Sequence, residues 1–483
     1  MVQPRRQFSS ATAAAAAPEV KTLGQLRASD HQVRSVKDEV RQNLLARLRA
    51  GEDPFPGILG FGDTVLPHLE RALIAGHDVI LLGERGQGKT RLIRTLTGLL
   101  DEWSPVVTGC EINDHPVAPV CGRCRRLAGE LGDELPVSWR HRSDRYGEKL
   151  ATPDTSVGDL IGDIDPVKVA EGRTLGDPET IHYGLVPRTN RGVFCLNELP
   201  DLAERIQVSL LNVLEERDIA VRGYALRLPL DLILVASANP EDYTNRGRII
   251  TPLKDRFGAE IRTHYPLTLE AELAVVRQEA EIAWGSASPD TVLPDHLTEV
   301  IARFTRLVRS SPAVDARSGV SARFAIAAAE AVVAAAVRRA AISGEDQPVA
   351  RICDLPAIVS TLRGKVEFEV SEEGREAEVL EHLLRRAIAE EFRARLGSAD
   401  LTGLLDKFAE GGNVEAGDLL PAAELLRRIG EVPGLAKIME RLDMAGGESF
   451  GQAAAALEFA LEGLYLMRRL SKDVVDGGAV YRS

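Results

Sequence analysis

Gly83-Glu-Arg-Gly-Gln-Gly-Lys-Thr90 fits the pattern G-x-x-x-x-G-K-[ST] without a mismatch. Its glycines let backbone N–H groups curl around phosphate oxygens. Lys89 can reach the β and γ phosphates of a nucleotide, and the Thr90 hydroxyl can ligate Mg²⁺. Glu84, Arg85, Gly86, Gln87 and Gly88 complete the loop. The apolar Asp78-Val-Ile-Leu-Leu82 precedes it and the helical Arg91-Leu-Ile-Arg-Thr-Leu96 follows, supplying the strand and helix that the motif requires.

A phosphate loop serves kinases, GTPases and motors alike, so the reaction must be read from other residues. Val193-Phe-Cys-Leu196 ends in Asn197-Glu198, and Asp231-Leu-Ile-Leu-Val-Ala236 leads into Ser237-Ala-Asn-Pro240. Both strands deliver these ends to the carboxyl edge of an open sheet, where ligands bind. There Glu198 can polarise an attacking water, and the Asn239 amide can touch the γ-phosphate or the same water. Leu253-Lys-Asp-Arg-Phe257 presents Arg256 just past the sheet. Asn197 stands where magnesium chemistry favours an aspartate: its amide keeps an acceptor oxygen but lacks the charge, which weakens metal binding without abolishing it.

A second constellation lies in Cys110-Glu-Ile-Asn-Asp-His-Pro-Val-Ala-Pro-Val-Cys-Gly-Arg-Cys124. Cys121 and Cys124 form a C-x₂-C pair able to share a Zn²⁺ ion, Cys110 offers a third thiolate, and His115 or a residue elsewhere offers a fourth ligand. Three ordinary thiols in an insertion are the alternative. Cys195 and Cys353 read as core residues. The basic run Ser138-Trp-Arg-His-Arg-Ser-Asp-Arg145 suits an anionic partner, a surface or a subunit interface.

The chain of 483 residues is long enough for two or three domains. Hydrophobic residues make up 44% and charged residues 27%, the proportions of a globular protein, with no apolar run long enough to span a bilayer. A formal charge of −13 (59 Lys and Arg against 72 Asp and Glu) gives no support for a nucleic-acid partner. Five cysteines in so large a chain suit a reducing cytoplasm better than a disulfide framework. The basic, Ala- and Ser-rich opening shares features with a transit peptide, lacks the apolar core of a secretory signal, and reads as a disordered tail over 1–35.

Nearly continuous apolar runs alternating with helical patterns predict a parallel sheet over 36–266, with a Cys-containing insertion near 110–124. Leu202, Ile206, Leu210 and Leu214 form one apolar helix stripe. Beyond Pro266 Ala-, Leu-, Glu- and Arg-rich segments predict helices, divided into 267–364 and 365–483. The later part includes helical stretches over 377–396 and 450–475 and a Glu410-Gly-Gly-Asn413 break. The fold class is therefore an α/β P-loop core followed by two α-helical regions.

From about Phe55 to about Glu330 the chain resembles an AAA+ ATPase of the magnesium-chelatase I-subunit and MoxR-type clade. Ile58-Leu-Gly-Phe61 resembles the stretch beside the adenine, and Gly184 to Leu199 the run into Walker B. Asp159 to Asp165 is similar to the segment before an insertion in chelatase I subunits. Ser237-Ala-Asn-Pro-Glu241 resembles sensor 1, Leu253 to Phe257 the arginine-finger motif, and Gly319-Val-Ser-Ala-Arg-Phe324 the start of the sensor 2 helix.

The resemblance implies that Asn239 is the sensor, Arg256 a finger acting on a neighbouring subunit's nucleotide, and Arg323 a lid-borne phosphate contact. It further implies ATP and Mg²⁺ as ligands, a homo-oligomeric, hexameric ring, and a partner with a von Willebrand factor A domain. The family has Asp-Glu where this chain has Asn197-Glu198, so slow but real hydrolysis is expected. A genuine chelatase motor inserting Mg²⁺ into a porphyrin and a nucleotide-gated scaffold with little hydrolysis are the alternatives. Transcriptional activation or DNA unwinding ranks behind them, for want of a GAFTGA-type loop and a DNA-binding module.

Overall fold

The computed structural model describes residues 16–165, 167, 170–171, 180–215, 219–221, 224–226, 228–240, 248–282, 290–315, 319–409, 412–444, 449–475 and 478–483. They fall into two compact units, Met1–His264 and Tyr265–Ser483. Residues 1–15 of the expected tail, Glu241 of the sensor 1 stretch, and Glu410 and Gly411 lie outside the described residues. Within the described part the expectation of a disordered tail to residue 35 is corrected. Thr22 caps helix α1 (Leu23–Ala28), whose Leu23 and Leu26 are buried.

The first unit is organised by a parallel sheet of β1 (Val79–Leu82), β2 (Tyr146–Leu150), β3 (Val193–Asn197), β4 (Ile233–Ala238) and β5 (Ala259–Arg262), in the spatial order β5-β1-β4-β3-β2. Alternation explains why the three central strands, β1, β3 and β4, are nearly apolar throughout. Val79, Leu81, Val193, Cys195 and Val235 face one cluster with Val40 and Leu44 of α2 (Val36–Ala50), Leu69 of α3 (Val65–Ala75) and Ile93 of α4 (Lys89–Thr95). Ile80, Leu82, Phe194, Leu196 and Ala236 face the opposite cluster. Both faces are covered along these central strands, which keeps them apolar, and each buried Leu or Phe contributes about 1.5–3 kcal/mol; the edge strands β2 and β5 admit Glu148, Lys149, Glu260 and Arg262.

The 110–124 insertion sits between the strands of an antiparallel hairpin, Trp103–Val107 with Val137–His141, and leads into α5 (Gly122–Leu131). Behind the sheet, Ile206 and Leu210 of α6 (Glu204–Glu215) and Leu253 of α7 (Thr251–Arg256) fill the second cluster, with Leu202 and Leu214 buried alongside. The basic run at 138–145 is partly internal: Arg145 is buried, with Nη1 and Nη2 each 2.7 Å from a Glu39 carboxylate oxygen on α2. Trp139 Nε1 donates to the Val20 carbonyl at 2.9 Å.

The second unit is built mainly from α8 (Leu269–Glu279), α9 (Asp295–Arg309), α10 (Ala322–Ser343), α11 (Glu376–Leu396) and α12 (Phe450–Leu466). One apolar core runs from Val276 to Tyr481 and includes residues from both helical stretches, 267–364 and 365–483. A small antiparallel sheet of β6 (Val414–Gly417), β7 (Ser471–Val475) and β8 (Gly478–Arg482), in the order β6-β8-β7, was not read from the sequence. The helix expected to continue to 475 stops at Leu466; Arg468 takes a φ of 61°, and a strand follows. No helix among the described residues is long and apolar enough to cross a membrane.

Candidate active site

Register brings the candidate residues to one sheet edge. Leu82 pairs with Ala238 and Leu196 with Ala236, so Gly83, Glu198 and Asn239 leave the adjacent strands β1, β3 and β4 at nearly the same level. A Cβ at Gly83 would collide with Thr263 Oγ1 and Gln87 Oε1, which explains the first glycine of the loop. Gly86 (φ 74°) and Gly88 (φ 76°) are left-handed, and a Cβ at Gly88 would meet no described atom within 4 Å. The loop is thus open to space at Gly88. Lys89 is buried, and its Nζ donates to the carbonyls of Gly83 and, at 2.9 Å, Glu84. Thr90 follows it on the first turn of α4, half-buried.

Asn197 ends β3 almost fully buried. Its Oδ1 accepts from Ser237 Oγ at 3.0 Å, and its Nδ2 donates to Glu148 Oε1 at 2.7 Å. Glu148, on neighbouring β2, also binds Arg94 of α4 (2.9 Å) and accepts from the Tyr146 hydroxyl (3.0 Å). Sequence reading missed Glu148 altogether. A charged residue at the third position of an unassigned strand gives little signal until pairing sets it opposite Cys195. The hydrogen bond that Arg94 donates to Glu148, reinforced by the carboxylate charge, raises the arginine's pKa above the ordinary guanidinium value. Burial pushes the Cys195 thiol up to about 12, keeping it protonated and inert, the core role expected of it.

Glu198, half-buried, takes a left-handed backbone (φ 54°, ψ 49°) that few non-glycine residues adopt, and its N–H donates to Ser237 Oγ at 3.3 Å. Ser237 therefore ties both residues of the Asn-Glu pair to β4. Such backbone strain concentrates at functional positions. Asn239 is buried directly beyond β4. Arg256 ends α7, its Nη1 donating to the Pro252 carbonyl at 2.9 Å. Arg323 belongs to the second unit, exposed on the first turn of α10, where Ser321 caps its N–H at 3.0 Å.

The cysteine cluster is a separate convergence. The sulfurs of Cys110, Cys121 and Cys124 and a carboxylate oxygen of Asp114 lie within 4.8 Å of one another. His115, one candidate for the fourth ligand beside a residue elsewhere, is not among them. Its Nε2 meets His31 Nε2 at 3.1 Å, and its Nδ1 accepts from the Val117 N–H at 3.1 Å. Burial, then the Arg191 and His31 charges, lowers His115 to about 3. Asp114 takes its place: Oδ2 accepts from the Cys121 N–H at 2.9 Å, while Oδ1 is buried with no hydrogen-bond partner among the described residues. Hydrogen bonds among the sulfurs hold Cys110 below, and Cys121 and Cys124 above, the usual thiol range.

With this geometry in place, the relatives agree with the motifs. Residues 174–256 match the sigma-54 interaction domain. The chain is 28% identical over 269 residues to the magnesium-chelatase subunit ChlI of Nostoc sp., covering 53% of this chain and 66% of that protein. It is also 28% identical over 238 residues to the magnesium-chelatase 38 kDa subunit of Rhodobacter capsulatus, covering 47% and 60% respectively. The chain thus spans less than two thirds of the length of either relative. Among solved structures, a model of the BchI–BchD complex of magnesium chelatase matches with a TM-score of 0.34 at 21% identity, covering 68% of this chain and 98% of that one.

Proposed function

From the premise that this chain is an AAA+ ATPase related to the magnesium-chelatase I subunits, we propose that it is a ring-forming motor that spends ATP hydrolysis on remodelling a protein partner. The observation that carries this reading is the convergence of the phosphate loop, Glu198 and Asn239 on one edge of a parallel sheet. The loop from Gly83 to Thr90 holds the nucleotide phosphates. Lys89 exchanges its carbonyl partners for phosphate oxygens, a trade favoured because a cation pairs better with an anion than with a neutral dipole. Thr90 and the Asn197 amide oxygen would hold Mg²⁺, which would supply charge neutralisation for the phosphates.

Glu198 accepts a proton from the attacking water, and the Asn239 amide orients that water or the γ-phosphate. Arg256 acts on the nucleotide of the next subunit, so turnover depends on assembly into a homo-oligomeric, hexameric ring. Glu148 supports a working site despite Asn197. Its carboxylate lies one hydrogen bond, 2.7 Å, from the Asn197 amide, which supports a reading in which the adjacent strand supplies the negative charge that Asn197 lacks. An aspartate at 197 would face a second carboxylate at that distance, and like charges so close resist joint ionisation.

The partner fitting this reading carries a von Willebrand factor A domain and works in the cytoplasm. Porphyrin metalation by this chain is the alternative, separated by whether its deletion abolishes tetrapyrrole metalation. A scaffold that binds ATP without turnover is favoured only by Asn197 and opposed by Glu198. The test is complementation between defective subunits. Lys89→Ala and Arg256→Ala proteins should each be inactive alone and regain ATP turnover when mixed, because each supplies the half-site the other lacks. Mixed assemblies that stay inactive would overturn the trans arrangement.

A further inference from the structure

We propose that Cys110, Asp114, Cys121 and Cys124 form a closed structural zinc site with three sulfur donors and one oxygen donor. The site lies apart from the phosphate loop and goes beyond the ATPase chemistry. Tetrahedral zinc with Zn–S bonds of about 2.3 Å sets its sulfurs about 3.8 Å apart. The four donor atoms already lie within 4.8 Å of one another, so the protein needs only a small contraction to take the ion.

Asp114 is the observation that turns a group of thiols into a site. Its carboxylate is almost fully buried, one oxygen is fixed by the Cys121 N–H, and the other has no hydrogen-bond partner among the described residues. A buried acceptor left in that state is costly, and a cation shared with three thiolates satisfies it. Thiolate donors select zinc over magnesium or calcium, which prefer all-oxygen ligands. Four protein donors leave no open position for a reacting water, so the site is structural.

The surroundings suit a negatively charged metal–thiolate centre. Backbone N–H groups of Asp114 and Cys124 donate to the sulfurs of Cys110 and Cys121, each at 3.3 Å, and the Arg123 guanidinium lies 4.0 Å from Cys124 Sγ. His115 turns away from the sulfurs, its ring stacked on His31 with centroids 5.4 Å apart and both ring nitrogens engaged elsewhere. The loop carrying the ligands is tied to the segment that feeds β3: Asn113 Nδ2 donates to the Arg188 carbonyl at 2.6 Å, and Asn190 Nδ2 to that of Ile112 at 3.0 Å. Asn190 Oδ1 in turn accepts from the Asp231 N–H at 2.8 Å, just before β4. Zinc therefore braces the entry to the two strands that carry Asn197, Glu198 and Asn239.

The test uses the full chain, purified under reducing conditions without added metal, with zinc measured by elemental mass spectrometry. The expected content is about one zinc per chain. Replacement by Co²⁺ should give the absorption of a tetrahedral site with thiolate charge-transfer bands. Asp114→Asn should lower zinc affinity by about tenfold or more, since even the loss of an outer-layer partner costs 10–100-fold, while His115→Gln should keep the full metal content. Cys121→Ser should lose the ion. Should that variant fail to fold, the cobalt spectrum and chelator competition on the unmodified chain carry the test. A chain that holds no zinc after anaerobic loading, or that shows iron–sulfur absorption as isolated, would overturn the proposal. Wild-type affinity in Asp114→Asn with loss in His115→Gln would overturn the donor set.

Discussion

At the sheet edge of the first unit, Arg94 and Glu148 pair with side chains 63% and 23% exposed, whereas in the helical unit Arg339 grips Asp354 with side chains 3% and 2% exposed. Both are arginine–carboxylate pairs joined through two guanidinium nitrogens. Solvent reaches the first, so its members can trade partners when an anion or a cation arrives. The second exchanges nothing without unfolding, and Arg339 is held further by the Val349 carbonyl at 2.6 Å and by Glu345 at 2.7 Å. Polar groups at the strand ends should therefore control turnover with little effect on folding, and those in the helical core the reverse.

The largest effect expected on the activity side is that of Glu198→Gln. Steady-state ATP turnover should fall about 10²–10⁴-fold, with fluorescent-nucleotide affinity and thermal midpoint retained. In the helical unit, Arg339→Met should destabilise by about 3–5 kcal/mol in denaturant titration, because it strands the Asp354 carboxylate inside the core. If Arg339→Met leaves stability intact, the two regions do not differ as argued.

Asn197→Asp sharpens the contrast within the first unit. Alone it sets a second carboxylate against Glu148 and should lower turnover about tenfold; combined with Glu148→Gln it should recover. A gain of turnover in the single variant would refute the relocation of charge to β2.

The smallest effect is a pH slope. His296 is fully buried against Phe459, with ring centroids 4.6 Å apart and neither ring nitrogen hydrogen-bonded among the described residues. Burial lowers its pKa to about 3 from an ordinary 6.5. Between those values the unfolded chain binds a proton that the folded chain refuses, so stability is complete above about pH 6.5 and is lost as pH falls, by about 1.4 kcal/mol per pH unit. His296→Leu should remove this part of the acid sensitivity, read from unfolding midpoints between pH 7 and 5.

The phosphate loop was legible because its chemistry is local: eight consecutive residues carry both the amides and the lysine, and flanking apolar runs reveal the strand and helix. Asn197, Glu198 and Asn239 were legible for the same reason, each ending an apolar strand. Glu148 was not, since only the pairing of β2 with β3 sets it beside Asn197. The fourth member of the cysteine cluster stayed open between His115 and a residue elsewhere because spacing does not fix direction. Adjacent residues on an irregular loop diverge, and here Asp114 turns toward the sulfurs while His115 turns toward His31. The terminal sheet escaped notice because β6 pairs with β8, more than sixty residues further along the chain.

The central claim is that the strand-edge site hydrolyses ATP despite Asn197. Its most direct test is Mg²⁺-dependent ATP turnover by the purified chain across a range of protein concentrations, with Glu198→Gln as the control. The account predicts turnover that rises per subunit as rings assemble and disappears in the control. Tight ATP binding with turnover no greater than that of Glu198→Gln at every concentration would contradict it, leaving a chain that holds nucleotide without using it.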